Sequence, residues 1–277
     1  MNTVSTINEL RQVRQKLATP VGFVPTMGYL HEGHLTLVRH ARQENASVVA
    51  SIFVNPTQFG PREDFKKYPR DLTRDLDLLE KSGTDLVFIP EADEMYPSNY
   101  SSWVDVEKVT ERLEGVVRPG HFRGVTTVVA KLFNLVAPDT AYFGQKDAQQ
   151  AIVIRKMATD LNMNLKVVTL PTVREPDGLA MSSRNTYLKP EQRQAATILY
   201  KSLKLAEYLH QKGEKDAAKI RREMTQLLQQ EPLSQISYVS IADNETLEEL
   251  YDMKTPALVS LAVKIGDTRL IDNIVLE

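Results

Sequence analysis

Residues 47–54, Ser-Val-Val-Ala-Ser-Ile-Phe-Val, make a nearly unbroken apolar, β-branched run. A strand with one wet face alternates apolar and polar residues. A run without alternation predicts a strand covered on both faces, as in a parallel sheet. Parallel neighbours need crossover connections, usually helical, and the chain supplies them. The apolar run 21–24 reads as a strand, with Pro20 and Gly22 at its start, and Leu35-Thr36-Leu37-Val38-Arg39-His40-Ala41 after it as a helix. Asp71 caps a helix that puts Leu72, Leu76 and Leu79 on one face and stops at Gly83. Residues 86–89 form a third strand, ended by Pro90. Upstream, Thr6-Ile7-Asn8-Glu9 is a capping box whose helix runs to Leu17.

Residues 91–102 read as irregular, and 104–114 as a short strand and a helix turn. A basic, glycine-containing loop over 118–124 feeds an apolar helix over 125–136. A strand over 140–143, a helix over 148–161 and a strand over 166–170 follow, then a loop through 184. Strands alternating with helices predict right-handed βαβ units in a doubly wound parallel sheet, an α/β fold. Past Leu188 the pattern changes. Two amphipathic helices, 191–212 and 216–230, have Pro190 at the start of the first and Gly213 between them. Strands over 236–242, 258–265 and 268–274 read as antiparallel, with Gly266-Asp267 as a hairpin turn. The expectation is a large domain over 1–186 and a second, smaller α+β domain over 187–277.

A net charge of -2 gives no bulk attraction to nucleic acid or anionic lipid, so any basic site is local. With no cysteine, disulfides and thiolate metal sites are excluded. No apolar run approaches the roughly 20 residues that span a membrane. Glu9, Arg11, Arg14 and Lys16 interrupt any signal-peptide core. The expected location is the cytoplasm.

In doubly wound sheets ligands sit beyond the carboxyl ends of the strands. Four polar loops follow strands here: 25–34, 55–58, 144–147 and 173–184. Their convergence on one crevice is the main functional expectation. The first, Pro25-Thr26-Met27-Gly28-Tyr29-Leu30-His31-Glu32-Gly33-His34, carries two histidines to a helix start. Unpaired N–H groups and a partial positive charge there suit a phosphate. Three readings of His31 and His34 stand side by side: caps of the turn, a metal pair with no third ligand near, or phosphate donors. Gly33 would leave room for a nucleotide at the backbone.

In Gly144-Gln145-Lys146-Asp147 the lysine is either a phosphate ligand or half of a solvated Lys–Asp pair. Gln149 and Gln150 open the next helix, one of them facing the crevice. Met181-Ser182-Ser183-Arg184 is a pair of hydroxyls beside a cation, suited to β- and γ-phosphates or else an ordinary surface loop. Gln58 and Asn55 suit the hydroxyl or carboxylate of a small substrate; Arg118 and Arg123 suit a carboxylate or a solvated loop. Asp71, Asp75 and Asp77 read as helix surface, one of them able to meet Mg2+ directly or through water.

His31-Glu32-Gly33-His34 resembles the HIGH motif of the nucleotidylyltransferase superfamily, and Met181-Ser182-Ser183-Arg184 its KMSKS-type counterpart. With Phe53-Val54-Asn55-Pro56-Thr57-Gln58-Phe59, Phe143-Gly144-Gln145-Lys146-Asp147-Ala148-Gln149-Gln150 and the stretch from Arg174 to Asn185, these motifs resemble the pantothenate synthetase family. The resemblance implies a Rossmann-like domain, a small C-terminal domain and a homodimer. It implies ATP- and Mg2+-dependent joining of (R)-pantoate to β-alanine. Carried over by position, Pro25 and Met27 to His34, Gly144 to Asp147, Val173 and Met181 to Arg184 would surround ATP. Gln58 and Gln150 would hold pantoate, with Asn55 and Arg118 lining the pantoate side and Gln58 also near β-alanine. His34, with His31 and Lys146, would be catalytic, and Asp75 would carry Mg2+. Another nucleotidylyltransferase, an RNA-handling synthetase-like module and a non-catalytic nucleotide sensor remain as alternatives. The near-neutral charge opposes the second, and the complete set of histidines, lysine and serines opposes the third.

Overall fold

The structure, a computed structural model, describes residues 1–61 and 63–277. The strands are β1 (Asn2–Val4), β2 (Val21–Thr26), β3 (Ser47–Ile52), β4 (Leu86–Phe88), β5 (Thr140–Gly144), β6 (Lys166–Leu170), β7 (Ser234–Asp243), β8 (Ala257–Ile265) and β9 (Thr268–Leu276). The first six form one parallel sheet in the order β1-β4-β3-β2-β5-β6. The helices are α1 (Ile7–Arg14), α2 (Glu32–Glu44), α3 (Leu72–Lys81), α4 (Ala92–Met95), α5 (Glu114–Val117), α6 (His121–Val136), α7 (Ala148–Asp160), α8 (Pro190–Ala195), α9 (Ile198–Gln211) and α10 (Ala217–Gln229).

The doubly wound expectation holds. On one face of the large sheet Phe23, Val49, Phe88 and Phe143 pack with Leu10 of α1, Phe133 of α6 and Val153 of α7. On the other, Val24, Val48, Ala50 and Val87 pack with Val38 of α2 and Leu79 of α3. Val48, Val49 and Ala50 are fully buried, as their unbroken pattern requires.

The chain runs from β2 outward through β3 and β4, then returns to β5 on the opposite side of β2. That reversal is the switch point at which such sheets bind ligands. β2 and β5 pair only at Gly22↔Thr140 and Phe23↔Ala141, whereas β2 and β3 stay paired to Thr26↔Ile52. Pro25 supplies the reason. The Val21 carbonyl accepts from Asp139 N, so residues 21, 23 and 25 face β5. Pro25 has no N–H to extend that ladder, and a crevice opens where the strands part.

β7, β8 and β9 form a separate antiparallel sheet. Leu199 and Leu203 of α9 and Ile220 and Met224 of α10 give it its own core with Val259 and Leu261. No helix among the described residues is long and apolar enough to cross a membrane.

Several boundaries differ from the pattern. β1 was hidden, because three residues show no period; it gains its identity by pairing with β4. α1 ends at Arg14, and Lys16 N and Leu17 N bond three residues back, in a tightened last turn. Residues 104–114 hold no strand: Val104 N and O bond to the hydroxyls of Thr127 and Thr126 instead. α6 starts at His121, directly after Gly120 at φ +82°, so half of the basic loop is helical. The helix expected over 191–212 is two, α8 and α9. Thr197 Oγ1 donates to the Gln194 carbonyl, and Thr197 N and Leu199 N bond three residues back, which tightens the chain there.

Candidate active site

The turn after β2 has Gly28 at φ +81° and Tyr29 at φ 50°. Two interactions hold this left-handed pair. Thr26 Oγ1 accepts from Gly28 N, and the buried Asp75 carboxylate accepts from Tyr29 N at 2.6 Å and Leu30 N at 2.8 Å. His31 then caps α2. Its Nδ1 accepts from Gly33 N at 3.1 Å, and His34 Nδ1 accepts from His31 N at 3.3 Å. A Cβ on Gly33 would stand 2.9 Å from the His31 ring, so the glycine makes room for the histidine first. The cap reading and the donor reading of the histidines are therefore compatible. Each ring accepts through Nδ1, which leaves its proton on Nε2 as a donor. Burial, then the Lys146 charge, lowers His31 to about 4. Burial, the His31 ring and Lys146 hold His34 well below its ordinary value. Both are neutral donors at neutral pH.

The crevice has two adjoining lobes that share Met27, His34, Leu37, Tyr68, Gly144 and Asp147. The first is lined further by His31, Gly33, Lys146, Val173 and Met181 to Arg184. Its loops are bonded together: Ser183 Oγ donates to the Tyr29 carbonyl at 3.1 Å. Ser182 Oγ caps the turn that follows by accepting from Arg184 N. Arg184 reaches Asp64 with two bonds at 2.9 Å and stacks over Tyr68. Burial raises Asp64, but the Arg184 hydrogen bonds and charge outweigh it and leave Asp64 below its usual value. Lys146 Nζ lies 3.5 Å from Asp147.

The second lobe is lined by Asn55, Gln58 and Gln150 against an apolar wall of Phe53, Val125, Val129 and Leu132. Asn55 is spent on holding this lobe: Nδ2 donates to Gln58 Oε1 and the Gly124 carbonyl, and Oδ1 accepts from Thr57. Gln58 Nε2 contacts Met27 Sδ at 3.0 Å, which ties the lobe to the histidine turn. Of the two glutamines on α7, Gln150 lines this lobe; Gln149 is buried and bonds Val109 O, Arg112 O and Glu114 N.

All four strand-end loops thus meet. Some expected residues shape the site from behind. Leu30 is fully buried, Glu32 pairs with Arg39, Tyr29 lies under Arg74, and Gln145 bonds Asn273. Together with Gly28 they line neither lobe. Pro25 lines the second lobe, not the first. Arg118 does not reach the Gln58–Gln150 lobe. It pairs with Glu63 through two bonds and donates to His121 Nε2, while His121 Nδ1 donates to the Gln58 carbonyl at 2.8 Å. Arg118 borders a neighbouring cavity instead, with Lys146, Asp147 and Gln150.

The Mg2+ expectation for Asp75 does not fit the donor set. Both carboxylate oxygens accept backbone N–H groups, and the residue is 1% exposed. Among the described residues no group of three His, Asp or Glu side chains converges to hold a cation.

Tyr68 and Asn273 were not anticipated; His121, in the basic loop, and Arg174, which opens the last motif, had no role assigned. Tyr68 is 5% exposed and lines both lobes. It sits in an aperiodic loop, Lys66-Lys67-Tyr68-Pro69, that carries no pattern to flag it.

A switch-point crevice, a histidine pair at the first helix start and a Ser-Ser-Arg loop bonded back to that turn define a Rossmann-like nucleotide-binding protein of the HIGH-motif class. More narrowly, the chain belongs to the pantoate-β-alanine ligase family, whose model matches residues 2–275. It is similar to the pantothenate synthetases of Acetivibrio thermocellus, 57% identical over all of both chains, and Herpetosiphon aurantiacus, 59% identical over all of both. The crystal structure of pantothenate synthetase from Thermus thermophilus superposes with TM-score 0.95 at 51% identity, covering 99% of each chain. The Francisella tularensis pantoate-β-alanine ligase, complexed with beta-gamma ATP and β-alanine, superposes with TM-score 0.82 at 32% identity over 99% of this chain and 97% of that one.

Proposed function

We propose that this chain joins (R)-pantoate to β-alanine using ATP, through a pantoyl adenylate, and releases AMP and pyrophosphate. The observation that carries this reading is the position of His34, which lines both the donor-rich lobe and the glutamine lobe. Family membership supports the substrates.

A carboxylate does not acylate an amine at neutral pH, because oxide would have to leave. Adenylation replaces oxide with AMP. A pantoate carboxylate oxygen forms a bond to the α-phosphorus as the bond to pyrophosphate breaks. Negative charge grows on the leaving and non-bridging oxygens. His31 and His34 offer neutral Nε2–H groups there, and Lys146, Ser182, Ser183 and Arg184 complete the ATP lobe. Donors already held by the fold need no reorganisation as charge develops. The apolar wall beside Gln58 and Gln150 suits the two methyl groups of pantoate, and the glutamine amides suit its hydroxyls and carboxylate. The neutral amine of β-alanine then attacks the acyl carbon near Gln58, and AMP departs.

ATP would enter as its Mg2+ complex, the cation offsetting negative charge as pyrophosphate leaves. The parallel-sheet domain, residues 1–186, binds the substrates, and residues 187–277 form a lid that excludes water from the adenylate. The working unit is a homodimer in the cytoplasm, as the family resemblance implies.

Pantoate-dependent exchange of labelled pyrophosphate into ATP, with AMP appearing only once β-alanine is added, tests the assignment. Equal exchange without pantoate overturns the substrate. Equilibrium sedimentation at a single-chain mass overturns the dimer.

A further inference from the structure

β9 is an edge strand of the small sheet, hydrogen-bonded to β8 alone. An open edge is normally covered or charged. Here the loops of the nucleotide lobe cover it. Asn273 is 3% exposed, and its amide nitrogen donates to both the Gln145 and Lys146 carbonyls at 2.9 Å. Its amide oxygen accepts from Gln145 Nε2 at 3.0 Å. One side chain therefore uses two donors and one acceptor on a single turn. The neighbouring Asp272, 2% exposed, receives two bonds from Arg174 at 2.6 and 2.9 Å. Arg174 also donates to the Gly178 and Asn273 carbonyls, which fixes the loop that carries Val173 and Met181 to Arg184.

The turn holding Lys146 has little support of its own. Residues Gln145–Asp147 form a single 3-10 turn with no side-chain cap, and Asp147 gives no side-chain cap to α7. Before the turn, Gly144 is held by its pairing with Leu170, and a Cβ built on it would meet nothing within 4 Å. The contacts from Asn273 are what hold the Gln145 and Lys146 carbonyls in place, and with them the direction in which Lys146 leaves the backbone.

We propose that Asn273 is a positioning residue for Lys146, through which the small C-terminal sheet sets the geometry of the nucleotide lobe. The inference rests on the reading that Lys146 meets the ATP phosphates. It differs from a lid role. A lid excludes water and acts on the adenylate, whereas Asn273 acts on ATP before any adenylate forms.

The test is a double-mutant cycle of Asn273→Ala and Lys146→Ala, read both on ATP affinity by calorimetry and on pantoate-dependent pyrophosphate exchange. Alone, Asn273→Ala is expected to lower kcat/KM for ATP by about 10- to 100-fold, the effect of a small misplacement of a binding group. KM for pantoate stays within about twofold, because Gln58 and Gln150 lie in the other lobe. In the Lys146→Ala background Asn273→Ala adds less than about twofold, since the group it positions is gone. Asn273→Asp, equal in shape but lacking the two donors, loses as much as the alanine variant. Additive losses in the cycle, equal losses for ATP and pantoate, or full activity in Asn273→Asp overturn the proposal. If Asn273→Ala does not fold, Gln145→Ala removes one of the three bonds from the other side, and the same cycle is read with it. Lack of exchange in the unmodified chain sinks the substrate assignment, while coupling in ATP affinity still decides the role of Asn273.

Discussion

The imidazole rings of His31 and His34 lie 4.1 Å apart, and the backbone N–H of His31 donates to Nδ1 of His34. Two rings this close cannot readily both be charged, and the fold keeps both neutral by burial and by Lys146. His34→Ala is expected to bind ATP within about threefold of the unmodified chain but to lose about 10²–10³ in pyrophosphate exchange, the usual cost of one transition-state donor. Calorimetry and the exchange assay separate the two; unchanged exchange removes His34 from the chemistry.

Stability should fall on the acid side. His31 and His121 are lowered to about 4 from 6.5, each by burial first and then by a neighbouring cation, Lys146 and Arg118 respectively. The unfolded chain takes up protons below about 6.5, while the folded chain resists until about 4. Stability is therefore fully present above about 6.5 and is lost as pH falls through that window. Urea midpoints at about pH 7.5 and about pH 5 should show the drop. His121→Gln should flatten it; an equal drop in that variant would remove His121 from the account.

Asp75 is expected to act as a clamp on the histidine turn. Asp75→Asn turns one acceptor into a donor facing a backbone N–H, and should cost about 1–3 kcal/mol in urea unfolding. The Mg2+ concentration for half-maximal exchange should not move. A large rise in that concentration with unchanged stability would restore a metal role for Asp75.

Gly124 of α6 packs its backbone on the turn that carries Gln58. A Cβ there would stand 2.4 Å from the Thr57 carbonyl oxygen and 2.7 Å from Gln58 Cα. Alanine gains about 1 kcal/mol in helix propensity, but these neighbours are backbone and cannot rotate away. Displacing Gln58 should win: Gly124→Ala is expected to raise KM for pantoate by about tenfold, with ATP affinity unchanged. Steady-state kinetics in both substrates checks this.

The small sheet is also tied on through Glu114, which accepts two bonds from Arg269, at 2.6 and 2.7 Å, and one from Tyr238 at 3.0 Å. Burial raises Glu114, but Arg269 outweighs it and keeps the carboxyl below its usual value. Arg269→Met leaves the buried carboxylate with Arg118, at 4.0 Å, as its remaining cation and should cost about 3 kcal/mol in urea unfolding. Adding Glu114→Gln should recover most of that loss. No recovery would show that the arginine acts elsewhere.

Much of this was readable along the chain. Unbroken β-branched runs, capping boxes and glycine stops are set by interactions between residues a few positions apart, so periodicity reports them. The parallel sheet, the hairpin at Gly266-Asp267 and the meeting of four strand-end loops followed from that local chemistry. So did the donor character of His31, His34 and Lys146, because residue type and place at a helix start carry it.

The folded chain alone decided who supports those donors. Asn273 meets Lys146 across 127 residues of sequence, and Asp75 meets Tyr29 across 46. In both contacts the partner is a backbone group, a carbonyl that every residue carries or an N–H that every residue but proline carries. Such partners leave no mark in residue type or spacing. For that reason Asp75 looked like a free carboxylate for a metal, and Asn273 like nothing at all.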